Sequence, residues 1–242
     1  MQEKLKVITI DDYSISILKN YFKDNENIEF LELALHEKLE DLNTNFSKRD
    51  IVFLRTNAEN LEKLLEVGKA LKEKEIITIT VLEEKLAIEN KKVLEEAINT
   101  IFPVNKKDDM ENLFLEVIKM IDNIIFGRCY INLDVEDVKY MLKDSGISVF
   151  GRLNINKTIS KEDIIKNINY PFYNKTLKDS KKILIFLDTL EGFVLTEGEL
   201  IIDTLRNKNG KTIEDILFSV RIGNNLKNRI ECSFIAGLFK ER

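Results

Sequence analysis

Asn132, Asp134 and Asp137 lie in the stretch YINLDVEDVKYM (Tyr130 to Met141) at the spacing N-x-D-x-x-D. An amide and two acids this close together could form part of an active site, or they could start a helix. In the second reading Asn132 or Asp134 caps free backbone N–H groups, and Glu136 and Asp137 favour the positive end of the helix dipole. Val135, Val138, Met141 and Leu142 follow at i, i+3, i+6 and i+7, enough for one buried face. Both readings stay open here. What the acids could act upon depends on the elements around them.

Upstream, LKVITI (Leu5–Ile10) reads as a buried strand, and Ile15, Leu18, Tyr21 and Phe22 give the next segment a helical stripe. IEFLELAL, DIVFLRT, IITITVL and TIFPV are further strands, with helices between the later ones. Strands alternating with helices predict a parallel sheet covered on both faces. From Met110 the apolar positions Leu113, Phe114, Val117, Ile118, Ile121, Ile124 and Ile125 hold a helical stripe for four turns, ending near Gly127.

Downstream, ISVFGRLNI reads as a strand, SKEDIIKNI as a helix capped by Ser160, and KKILIFLDTL as a strand. TEGELIIDTLRN reads as a helix capped by Thr196. The strands DILFSVRIG and NRIECSFIAGLF follow, parted by a hairpin-like gap. This order predicts a separate mixed or antiparallel sheet with helices on one side. The expected division is residues 1–107, 108–127 (a connecting helix) and 128–242.

Composition narrows the function classes. With 242 residues, the chain can build one large domain or two small ones with real cores. Cys129 and Cys232 have no metal-ligand or redox spacing, and His36 is the only histidine, so zinc sites and His-dependent triads lack material and no metal is expected. Net charge of −5 and a pI near 5.3, with lysines interleaved among acids, argue against a dedicated nucleic-acid binder. No apolar run reaches membrane-span length and the N-terminus lacks a signal-peptide core, so a cytoplasmic protein without direct membrane insertion is expected.

A parallel nucleotide-type domain, a long helix, an N-x-D-x-x-D loop and a small α/β domain, in that order, resemble the tubulin/FtsZ family. The resemblance is to a divergent, shortened homologue of the bacterial cell-division protein FtsZ. It is strongest in IDNIIFGRCYINLDVEDVKYML, which is similar to the end of the family's central helix, its synergy loop and the next helix. It continues through NINYPFY, KKILIFLDTLEGFVLTEGEL and ILFSVRIGNNLKNRIECSFIAGLF, and so covers nearly all of the chain after Met110. It implies a Rossmann-like parallel-sheet N-terminal domain, a central helix and a smaller α+β C-terminal domain. Asn112 falls where the family's central helix contacts guanine.

The family's glycine-rich phosphate loops are missing. After the first strand stand Asp11, Asp12, Tyr13, Ser14, Ile15 and Ser16, and after DIVFLR stand Thr56, Asn57, Ala58, Glu59, Asn60, Leu61, Glu62 and Lys63. Neither window contains a glycine. Glycine loops let backbone N–H groups converge on phosphate, whereas side chains obstruct that approach and Asp11, Asp12, Glu59 and Glu62 repel it. Asp11, Asp12 and Asn57 read instead as helix caps. GTP binding is therefore expected to be lost, with no cofactor.

In the family one subunit's nucleotide pocket is completed by the neighbour's synergy loop, whose acids position water and metal for attack on the γ-phosphate. By resemblance Asn132, Asp134 and Asp137 are the loop residues, acting in trans, with no catalytic residue in cis. The resemblance implies a pseudo-GTPase that caps or modulates filaments of FtsZ or another FtsZ-like subunit. The alternatives are a scaffold that assembles head-to-tail with itself without nucleotide, and a GTPase with an unconventional phosphate site. The end IAGLFKER suggests that the disordered tail and membrane-adaptor peptide of the family are absent.

Overall fold

The computed structural model describes residues 3–10, 16–42, 44–156, 159–174, 180–208, 213–223 and 226–237. Five strands open the chain: β1 (Leu5–Ile10), β2 (Ile28–Leu33), β3 (Ile51–Arg55), β4 (Ile77–Glu83) and β5 (Thr100–Val104). All five are parallel, in the order β2-β1-β3-β4-β5. Every residue of β1, β3 and β5 is buried, as expected of strands covered on both faces. Lys6 is buried within β1, and its ammonium is matched by Glu29, Asp50, the Thr44 hydroxyl and the Asn45 carbonyl.

Helices α1 (Ser16–Tyr21), α2 (Leu61–Glu73), α3 (Glu84–Glu89) and α4 (Lys91–Ala97) connect these strands, and α5 (Asp109–Phe126) follows them. α5 lays Met110, Leu113, Phe114, Val117, Ile118, Met120, Ile121 and Ile124 against the sheet, with the Phe114 ring edge-on to Phe53 at 5.8 Å. It shares that face with α1 and with α6 (Val135–Leu142), while α2, α3 and α4 cover the other. At its end, a Cβ on Gly127 would lie 2.2 Å from the Asn123 carbonyl oxygen, so only glycine allows this tight exit.

The remaining elements are β6 (Gly146–Ile155), α7 (Lys161–Asn167), β7 (Lys182–Thr189), α8 (Leu195–Lys208), β8 (Asp215–Ile222) and β9 (Ile230–Gly237). Their strands are ordered β6-β9-β7-β8, with β9 antiparallel to both neighbours and β7 parallel to β8. The mixed sheet is as expected, but it is not separate. Gly146 and Ile147 pair in parallel with Thr100 and Ile101 before β6 turns to β9, which makes one nine-stranded sheet of the described residues. The ten-residue length of β6 makes this possible, because its first two residues suffice for the junction.

Two further readings need correction. β8 and β9 do not form a hairpin, because β7 lies between them; the connection spans two strand spacings, and Asn224 and Asn225 within it lie outside the described residues. Thr196 does not cap α8. It lies within the first turn, where the Glu197 carboxylate accepts from Val194 N–H at 3.2 Å. Ser160 does cap α7, accepting from Asp163 N–H at 3.1 Å.

At the centre of the second half, Gly151 of β6 stands opposite Phe234 of β9, and the Phe234 ring lies over it. A Cβ at Gly151 would lie 2.0 to 2.7 Å from three ring atoms of a fully buried phenylalanine. Gly151→Ala is therefore expected to cost about 1–3 kcal/mol of stability through overpacking, read as a lower urea midpoint at unchanged slope.

Candidate functional site

The loop after α5 is held by backbone bonds at Gly127, Cys129, Tyr130 and Ile131. Gly127 N–H bonds Asn123 O at 3.1 Å, and Tyr130 N–H bonds Val220 O at 2.7 Å. Ile131 forms a two-way bridge with Val220 of the edge strand β8, and the Ser219 hydroxyl donates to Ile131 O at 2.8 Å. Asp134, with extended backbone at φ −87°, ψ 175°, then opens α6.

Asp134 and Asp137 form a reciprocal capping box. The Asp134 Oδ1 accepts from Asp137 N–H at 2.9 Å, and the Asp137 Oδ2 accepts from Asp134 N–H at 3.2 Å. Val135, Val138, Met141 and Leu142 are buried, so the helix-start reading describes the local structure. It does not exhaust the acids. Asp134 and Asn132 are exposed, and each carboxylate has a second oxygen outside the box. The cap fixes the two acids relative to each other, which suits groups that orient a water or cation held by another molecule. Among the described residues no three His, Cys, Asp or Glu side chains converge as a metal site.

The brace under this loop was not legible as a site. Arg221 of β8 donates to both oxygens of Asp188 on β7, its register partner, with Nε at 3.0 Å from Oδ1. It also donates to the Asn123 side chain, near the end of α5, and its guanidinium lies 5.4 Å from the Phe186 ring centre. The Cys129 thiol donates to Asn123 O at 3.4 Å. The Asp188 carboxylate holds the Arg221 pKa above its ordinary value despite burial. The only sequence signal was one acid and one base near the ends of two apolar strands.

The C-terminal ends of the parallel strands form a second region, where ligands bind in open α/β sheets at the point of reversed strand order, here between β1 and β3. Asp11, Asp12 and Ser14 lie outside the described residues. Arg55, at the end of β3 opposite Thr9, is fully buried with its guanidinium 6.0 Å from the Phe114 ring centre, another feature the sequence reading missed. Thr56 is buried, and its hydroxyl has no hydrogen-bond partner among the described residues. The Asn57 Oδ1 accepts from Glu59 N–H at 3.1 Å and Asn60 N–H at 3.2 Å. Glu59, Glu62 and Asn112 are exposed. The structure therefore does not bring the two groups of candidate residues together. α5 parts them by 18 residues, roughly 27 Å at 1.5 Å per residue.

The chain resembles solved structures along nearly all its length. An empty FtsZ dimer from M. jannaschii is 14% identical, with 98% of this chain and 88% of that chain covered and a TM-score of 0.69. TubZ of Bacillus thuringiensis serovar israelensis, in GDP-form protofilaments, is 10% identical, with 97% and 84% covered and a TM-score of 0.64. The fold is that of FtsZ and TubZ. No protein-family model matches the sequence, and no curated protein matches it. Within this FtsZ-like fold no helix of the described residues is long and apolar enough to cross a membrane.

Near the loop, a cleft of about 280 Å³ is lined by Tyr21, Phe22, Asn25, Lys119, Asp122 and Asn123. Burial raises the Asp122 pKa against the opposing hydrogen bond from Asn25, which reaches Oδ2 at 3.0 Å. Because the folded form holds this proton more tightly than the unfolded chain, the stability it contributes is present at acid pH. That contribution is lost as pH rises through the raised pKa. Asp122→Asn is thus expected to raise the melting temperature at pH 7, with the gain shrinking as pH falls toward the ordinary aspartate range. Thermal melts of both proteins across pH check this.

Proposed function

We propose that this chain is a non-GTP-binding FtsZ-like protein that caps or modulates FtsZ-type filaments through its loop face. The observation that carries the reading is the pair of hydrogen bonds at Asn57. A helix N-terminus binds phosphate through free backbone N–H groups, and here Glu59 N–H and Asn60 N–H are already bonded to a side chain of the same chain. The glycine-free windows and the acids Glu59 and Glu62 support the same conclusion.

The loop face, by contrast, is braced and outward-facing, and it lies about 27 Å from the chain's own strand ends. Its acids can meet a nucleotide only in another subunit. Such a subunit would supply one face of a heterologous head-to-tail contact without the other, which ends a filament. The chain is then no enzyme by itself, although it would offer Asn132, Asp134 and Asp137 to a partner's GTP.

The dimeric and protofilament states of the FtsZ and TubZ structures favour self-assembly as the second reading. Charge supports ranking it lower. Residues 128–137 carry three acids and one arginine. At the strand ends Glu59, Glu62, Glu83 and Glu84 outnumber Lys63 and Lys85, and Asp108, Asp109 and Glu111 outnumber Lys106 and Lys107. Head-to-tail contact between copies would set acid against acid.

The test is sedimentation of GTP-assembled FtsZ with and without the protein. Polymer mass, length or GTP turnover should change, and no change in any of them would reject the reading. A combined Asp134→Asn, Asp137→Asn variant keeps both capping acceptors and removes both charges, so the helix should persist while any stimulation of turnover disappears. With no tryptophan and six tyrosines in the chain, retained guanine nucleotide would show as a raised 260/280 nm absorbance ratio. A protein-like spectrum is expected.

A further inference from the structure

We infer that residues 169–173, NYPFY, form a latch that locks the two halves of the molecule in one relative position. β5 and β6 pair only at Thr100–Gly146 and Ile101–Ile147 and then part. The latch spans the gap between them. On one side Asn169 and Arg152 of β6 exchange backbone bonds at 2.8 and 2.9 Å. β9 holds the opposite edge of β6, so Asn169 stands where β5 would lie had its ladder continued. On the other side Phe172 O accepts from Asn105 N–H at 3.0 Å, one residue past the end of β5. Pro171 disfavours helix at Tyr170 and has no N–H to extend the pairing with β6, which leaves the chain free to cross to Asn105.

The side chains of the latch enter the cores on both faces of the sheet. The ring centres of Phe172 and Phe150 are 6.1 Å apart, and Phe172 packs into the core on the α5 face. Tyr170 stands edge-on to Phe234 at 6.0 Å, and Tyr173 is buried in the core on the opposite face. A shift of the latch would open both cores at once, which close packing penalises. Arg152 carries the connection to α5, through its pair with Glu116 and its guanidinium 5.6 Å from the Phe150 ring centre. By itself a two-pair ladder acts as a hinge. A second attachment four residues beyond Ile101, roughly 13 Å along an extended chain, takes that freedom away. The lock is built from the chain's own groups and needs no ligand at the strand ends.

Native-state amide hydrogen exchange on the full chain alone tests this, with wild type, Phe172→Ala and the milder Phe172→Leu. In wild type the amides of Asn105, Arg152 and Asn169 should exchange together with that of Gly146, whose N–H bonds Asn99 O at 2.8 Å beside the ladder. In Phe172→Ala these four should speed up roughly tenfold or more relative to the amides of β1 and β3, with Phe172→Leu in between. Fast exchange of Asn105 and Asn169 in wild type would reveal a loosely laid segment and overturn the latch. An even rise across all strands would make Phe172 a core residue only and overturn it too, as would no rise at all. Because FtsZ is absent from the experiment, none of these results bears on the capping reading.

Discussion

Eight side chains of α5, from Met110 to Ile124, are buried against one face of the sheet, and this line of contacts fixes where the two ends of the molecule lie. At 1.5–3 kcal/mol for each large apolar side chain, the burial is worth roughly 12–24 kcal/mol before entropy is counted. No surface ion pair among the described residues competes with it. The helix therefore acts as a spacer of set length. Its first turn stands by the strand ends, and its last delivers the chain to Gly127 and the loop.

The second half of the molecule is attached to this spacer by a shared apolar core, to which Val138, Phe150, Leu184 and Ile235 contribute, and by polar groups, and to the first sheet by very little ladder. Only two residue pairs join β5 to β6. The load is shared by Arg152, which pairs with Glu116 on α5, and by Arg221, which reaches Asn123 one helical turn before the exit. Arginine suits the second place in particular, since its planar fork holds the Asp188 carboxylate and the Asn123 side chain at once. Position of the loop relative to α5 is thus set by directional bonds to Asn123 together with the apolar packing of Leu133 and Val135.

Much of this was readable from the sequence because burial imposes a period. The apolar runs of β1, β3, β4 and β5, the stripe of α5 and the Ser160 cap gave elements in the right order and nearly the right places. What could not be read depends on which strand lies beside which. Nothing local in DILFSVRI or IECSFIAG says that β7 will intervene between them, or that Asp188 and Arg221 will be register partners. Arg55 escaped notice for a related reason: a charged residue in a buried strand is interpretable only once its neighbours across the sheet are known. The candidate loop stood out, by contrast, because its residues are contiguous.

Asp134 and Asp137 each hold the other's backbone, an arrangement worth about 0.5–2 kcal/mol to the helix it begins. That small sum has a consequence over evolutionary time. Residues selected for folding are kept whether or not they also act on a ligand, so the capping box by itself is enough to preserve the spacing of Asp134 and Asp137. A lineage that lost its own nucleotide pocket would keep this loop intact, available for use against a neighbour that still has one.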